Sequence, residues 1–127
     1  MNGHEADRGS RQAIATALAA EYRAQEGAQC RDDFPLAWHH LERAHILAQT
    51  RLAPHIVSHW RMLRLALIQR DRREAAGQIL RLALAPIGNV TGRLPIGNTG
   101  RSTVSAFAPM DIPPDMRAIL PRSDGRA

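Results

Sequence analysis

Residues 40–60, HLERAHILAQTRLAPHIVSHW, hold four of the chain's six histidines, and His39 stands one position before them. Such a crowd is either a metal site or a set of polar residues scattered along two helices. Spacing favours particular members. His55 and His59 are four apart, so on a helix they stand one above the other on one face. That is how a helix offers two imidazoles to one ion at Zn–N distances of about 2.0–2.1 Å. If the chain doubles back near Leu52, positions 45 and 59 are each seven residues from the turn, and His45 faces His59 across the hairpin. His45 also shares an apolar stripe with Trp38 and Leu41, which points it inward. The expected ligands are therefore His45, His55 and His59. Glu42, three residues before His45, is expected as a fourth ligand or as an outer partner that fixes a ring tautomer. His39 and His40 project about 100° apart, so at most one of them joins the cluster.

Energetics bear on the choice. Three neighbouring imidazoles buried without partners lose solvation, and charging them adds mutual repulsion; one cation satisfies all three. The bland alternative gives each histidine its own backbone carbonyl, Gln49 or water at a partly open helix edge. Imidazole with carboxylate suits Zn, Cu, Ni or non-haem Fe. A helical di-iron site needs a Glu-x-x-His on each of two helices, and only Glu42-x-x-His45 is present. Haem through two axial histidines such as His45 and His59 lacks any attachment motif. No general base is nominated beside a metal, so a catalytic residue is not expected.

The elements that must position these residues read as helices. Ser10 is placed to cap a first helix with the stripe Ile14, Ala17, Leu18, Tyr22 and a stop at Gly27, after a loose residues 1–9. A second begins near Asp32 or Asp33 with Pro35 in its first turn and the stripe Phe34, Trp38, Leu41, His45, Ala48. Pro54 sits in the first turn of a third, carrying Ile56, Trp60, Leu63 and Leu67. Asp71 caps a fourth, Glu74 completing a capping box, and its stripe of Ala75, Ile79, Leu82 and Ala83 ends at Pro86. The expected fold is all-α: an antiparallel four-helix assembly of stacked helical hairpins in one domain, 1–127, with a helical core over about 10–86.

Residues 86–114 hold most of the Gly and Pro, and within them lies a duplication, PIGNVTGR at 86–93 and PIGNTGR at 95–101. Gly and Asn there ask for turns. A phosphate cradle is the sharper reading, but the lysine of a P-loop is missing and no strand precedes it. Apolar residues continue at Leu94, Ile96, Val104, Phe107, Met110 and Ile112. An irregular C-terminal strap over about 87–120, lying across the helices, is expected, with frayed residues after Pro121.

All 17 basic residues are arginine, the net charge is +5 and 44% of the chain is hydrophobic. The arginines are dispersed and aromatics are few, which argues against specific nucleic-acid binding. Cys30 is alone, so no internal disulfide or Cys-x-x-Cys knuckle forms. No segment has the roughly 18–20 continuous apolar residues of a membrane span, and the N-terminus lacks an export signal, so a cytoplasmic protein is expected.

Ala37-Trp38-x-x-Leu41-x-x-Ala44 lines up with Ala76-Gly77-x-x-Leu80-x-x-Ala83 and looks like the tetratricopeptide pattern, although the chain has room for barely two units. The runs AWHHLERAHILAQ, HIVSHWRML and LRLALAPIGNVTGRLPIGNTGRSTVSAFAPMDIP resemble a small bacterial family known only as a domain of unknown function, over roughly residues 34–114. The resemblance implies an association with metal-responsive genes, no assigned activity, and a functional role for His45, His55 and His59. Two functions are thus expected. The first is a cytoplasmic transition-metal-binding protein (Zn, Cu, Ni or Fe) serving metal homeostasis or resistance. The second is a metal-free helical-hairpin module that binds a partner protein in a groove, marked by Trp38, Trp60 and Phe107 on one exposed surface; a protein partner or a homo-oligomer is open in either case.

Overall fold

The computed structural model describes residues 2–92, 98–103 and 109–121. Four long helices follow in order, α1 (Gly3–Cys30), α2 (Phe34–Ala48), α3 (Leu52–Ile68) and α4 (Arg72–Thr91), then a short α5 (Pro114–Arg117). No strand occurs among the described residues. The main helix contacts run between neighbours in sequence, α1 with α2, α2 with α3 and α3 with α4. The protein is an all-α assembly whose helices stand in a row.

Two turns set that row. After α1, Asp32 takes a left-handed φ of 55°, and the amides of Asp32 and Asp33 bond the carbonyls of Gln29 and Ala28. After α3, Arg70 repeats the device with φ 56°, the amides of Arg70 and Asp71 bonding Leu67 and Ala66. Both are Schellman caps, which close the open carbonyls of a helix end. Each hands over directly to an aspartate N-cap: Asp33 accepts from the Leu36 amide at 3.2 Å and Asp71 from the Glu74 amide at 3.0 Å.

Helix bounds differ from the sequence reading in three places. α1 begins at Gly3, not Ser10: Glu5, Ala6 and Arg8 favour helix, and Asp7 pairs with Arg11 one turn on. It runs through Gly27 to Cys30, since the stop is set by the cap at Asp32. α4 continues through Pro86 to Thr91 and stops at Gly92, which has φ 69°. Proline removes one helix hydrogen bond, but Asn89 beyond it is tied to the α2–α3 turn, its Nδ2 donating to the Gln49 carbonyl at 3.1 Å.

The core has two parts. Trp38 and Leu41 of α2, Met62 and Leu65 of α3, Ala28 and Ala75 form one cluster. Ile14 and Leu18 of α1, Ile46 and Leu47 of α2, and Met116 of α5 form the other. Residues 109–121 thus return to α1 and α2, where Met116 is buried and Asp115 pairs with Arg43. The tetratricopeptide-like alignment does not survive as equivalence. Ala37, Trp38, Leu41 and Ala44 are buried, whereas Ala76, Leu80 and Ala83 are exposed. Leu94, Ile96, Val104 and Phe107 lie outside the described residues.

Candidate metal centre

α2 carries His45 on its buried face, and α3 carries His55 and His59 one turn apart on the face toward it. The three-residue connection at 49–51 brings these faces together. The Nε2 atoms of the three rings converge: His45 to His55 at 3.2 Å, His45 to His59 at 3.1 Å, and His55 to His59 at 3.1 Å. All three side chains are at most 6% exposed.

What lies behind each ring fixes where its proton sits. His45 Nδ1 meets the Asn98 backbone carbonyl at 2.6 Å, and a carbonyl only accepts, so Nδ1 carries the hydrogen. His59 Nδ1 meets Gln78 Oε1 at 2.7 Å. That amide cannot be turned round, because its Nε2 already donates to the Gly100 carbonyl at 2.9 Å and to Glu74 at 3.0 Å. His55 Nδ1 meets Asn89 Oδ1 at 2.8 Å, and the Asn89 Nδ2 bond to the Gln49 carbonyl orients this amide equally firmly. Every Nδ1–H therefore donates outward, and in the neutral rings every Nε2 presents a lone pair to one shared point.

Charge does not resolve the crowding. Burial, then His59 and His55, push the His45 pKa well below the ordinary 6.5. Burial lowers that of His55, and it takes His59 to about 4 against the raising bond to Gln78. The trio is neutral at physiological pH. A group whose pKa is depressed by folding is protonated first in the unfolded chain, so its contribution to stability is whole above 6.5 and drains away as pH falls toward 4. Metal-free protein is expected to show a lower urea midpoint at pH 5 than at pH 7.5; a flat profile across that range would contradict the neutral, buried trio.

The backing residues belong to a second set that holds the strap. Glu74, on α4, accepts from the Ser102 amide at 3.1 Å, the Ser102 hydroxyl, Gln78 and Arg101 Nε at 3.0 Å. Burial opposes its charge, but these donors, Ser102 first, hold its pKa below the usual value. This is why the capping box at Asp71 is only half formed: the Asp71 amide is taken by Ala66, and Glu74 turns to the strap. Arg101 lies 3.9 Å over the Trp38 ring and reaches Glu42 at 3.3 Å. Residues 98–102 are thus bound to α2 on one side and α4 on the other.

Two glycines permit that approach. A Cβ on Gly77 would stand 2.4 Å from the Ser102 side chain. One on Gly100, where φ is 82°, would stand 2.8 Å from the His45 ring. The described parts of the duplicated motif also adopt different structures. The first, with Asn89, is helical; the second, at Asn98, folds back so that the Gly100 amide bonds Asn98 Oδ1 at 2.9 Å. Corresponding asparagines nevertheless back two of the three histidines. Among the described residues of this stretch, the Gly100 and Ser102 amides are bonded within the chain and not open to a phosphate.

Of the residues singled out by spacing, His45, His55 and His59 come together with ligand atoms close enough to hold a metal ion. Glu42 stands outside this group, its carboxylate engaged by Arg101; burial pushes its pKa up against that partner's pull. His40 pairs with Glu21 at 2.7 Å and His39 is exposed, so neither joins. Gln78, Asn89 and the Asn98 carbonyl were not singled out. The duplication was the signal for the two asparagines, whereas an amide midway along α4 gave none.

The three Nε2 atoms form a near-equilateral triangle with sides of 3.1–3.2 Å, and at zinc–imidazole distances of about 2.0–2.1 Å all three would reach one ion. No helix among the described residues is long and apolar enough to cross a membrane. No curated protein and no solved structure matches the chain. The profile described as Protein of unknown function (DUF3703) matches residues 12–120 of the 127. With most of its length matched, from the first core residue of α1 to the last of the strap, the chain belongs to the DUF3703 family.

Proposed function

We propose that the protein holds one transition-metal ion through the Nε2 atoms of His45, His55 and His59, as a cytoplasmic component of metal homeostasis or resistance. One observation carries this reading: three buried, neutral imidazoles have their tautomers set by obligate acceptors so that three lone pairs meet at one point. Among the described residues the Nε2 atoms face only one another, and without a cation lone pairs about 3 Å apart repel. Neutral nitrogen ligands fit Zn, Cu, Ni or Fe. Glu42 acts on the strap through Arg101 and not on the ion. Burial of all three rings supports holding an ion over turning over a substrate. The metal-free interaction reading loses one of its markers, since Trp38 is buried and donates to Gln69 at 2.6 Å.

The test is metal analysis of protein stripped with chelator, reloaded singly with Zn, Cu, Ni or Fe under anaerobic conditions and dialysed. About one ion per chain and a raised melting temperature are expected for at least one metal. No retained ion and unchanged melting with all four would overturn the proposal.

A further inference from the structure

α4 ends the row of helices. Its main helix neighbour is α3, and the strap meets its Glu74–Gln78 side. Its remaining side is apolar: Ala76, Ile79, Leu80, Ala83, Ile87 and Val90 follow the spacing of one helical face, and all six are exposed, Val90 by 82% and Ile79 by 58%. Trp60 and Val57 of α3, also exposed, stand at the heights of Leu80 and Ala83 across the α3–α4 turn. The other end of the row is different. Among the described residues, no exposed large apolar side chain lies on α1 or α2. End helices of stacked arrays keep a polar outer face to stay soluble, and α4 does not.

We infer that this face is the interface of a homodimer in which α4 packs antiparallel against the α4 of a second copy, about a two-fold axis at Ala83. Position 83 is midway between Ala76 and Val90, and its small side chain lets the two backbones approach. The exposed apolar side chains of α4 with Val57 and Trp60 amount to on the order of 800 Å², the share each partner brings to a standard interface and more than the largest patch on a typical monomer. Charge fits the same pairing. Arg72 and Arg73 sit in the first turn of α4, where the helix dipole disfavours them, and its last turn has no basic residue. Antiparallel pairing brings them beside the partner's C-terminal carbonyls.

Sedimentation at about 100 μM, well above the dissociation constant of a standard interface, is expected to give twice the 14.0 kDa chain mass. Ile79→Glu with Ile87→Glu is expected to return the chain to monomer, with helical circular dichroism unchanged because both side chains are exposed. In a Cys30→Ser background, Ala83→Cys should form a disulfide-linked dimer on oxidation. Ala76→Cys should not, since positions 76 of the two copies are about 21 Å apart along the axis. A monomeric wild type, a dimer that survives the glutamates, or equal cross-linking from position 76 would each overturn the inference.

Discussion

His45→Ala is expected to abolish metal retention and with it the thermal stabilisation that metal confers. His45 bridges the site: its Nε2 lies within 3.2 Å of both other Nε2 atoms, and it is the ring provided by α2. Removing an outer hydrogen-bond partner of a metal ligand costs 10–100-fold in affinity, and removing a ligand costs at least about the upper end of that range. Metal that binds only the folded chain at about 1,000 times its dissociation constant stabilises by about 4 kcal/mol. For a domain of this size that is a rise on the order of 10–20 °C in Tm. The wild type should show such a rise and the variant almost none, by calorimetry with and without the retained metal. His39→Ala provides the contrast, since His39 is exposed and outside the trio, and should leave the rise intact. A His45→Ala protein that folds and still gains the full increment would remove His45 from the site.

Gly100→Ala is expected to lower both stability and metal affinity, although position 100 offers no ligand. At φ 82° an L-residue is strained by about 1–2 kcal/mol. The new methyl would also stand 2.8 Å from the His45 ring, and relieving that contact moves either the ring or the strap. Moving the strap takes away the Asn98 carbonyl that sets the His45 tautomer. The combined cost is about 2–4 kcal/mol of stability with at least a tenfold loss of metal affinity. Gly92→Ala separates the two effects: its φ of 69° brings the same backbone strain, but nothing among the described residues lies within 4 Å of the added methyl. It should lose stability alone. Equal affinity in Gly100→Ala and wild type would show that the strap does not hold His45.

The legibility of this chain followed the range of the interactions. Helices were readable because apolar spacing and aspartate caps are local, and Asp33, Pro35 and Asp71 act where the sequence puts them. Helix ends were less so. Asp32 and Arg70 take the left-handed position that sequence reading assigns to glycine, and the chain accepts that strain because the Schellman bonds and the following caps secure it. Pro86 was read as a terminator since it removes a local bond, while the tertiary ties of Asn89 carry the helix past it.

The sequence by itself determined that His55 and His59 share a helix face, and that His45, on the buried stripe of the preceding helix, lies across the hairpin from them. Helical period and one turn are enough for that. Only the tertiary structure decided what the three rings do with their hydrogens. Gln78, Asn89 and the Asn98 carbonyl come from positions 19 to 53 residues away from the rings they back, and such pairings depend on how α4 and the strap close over α2 and α3. It also placed the Glu42 carboxylate against Arg101, which arrives from 59 residues along the chain.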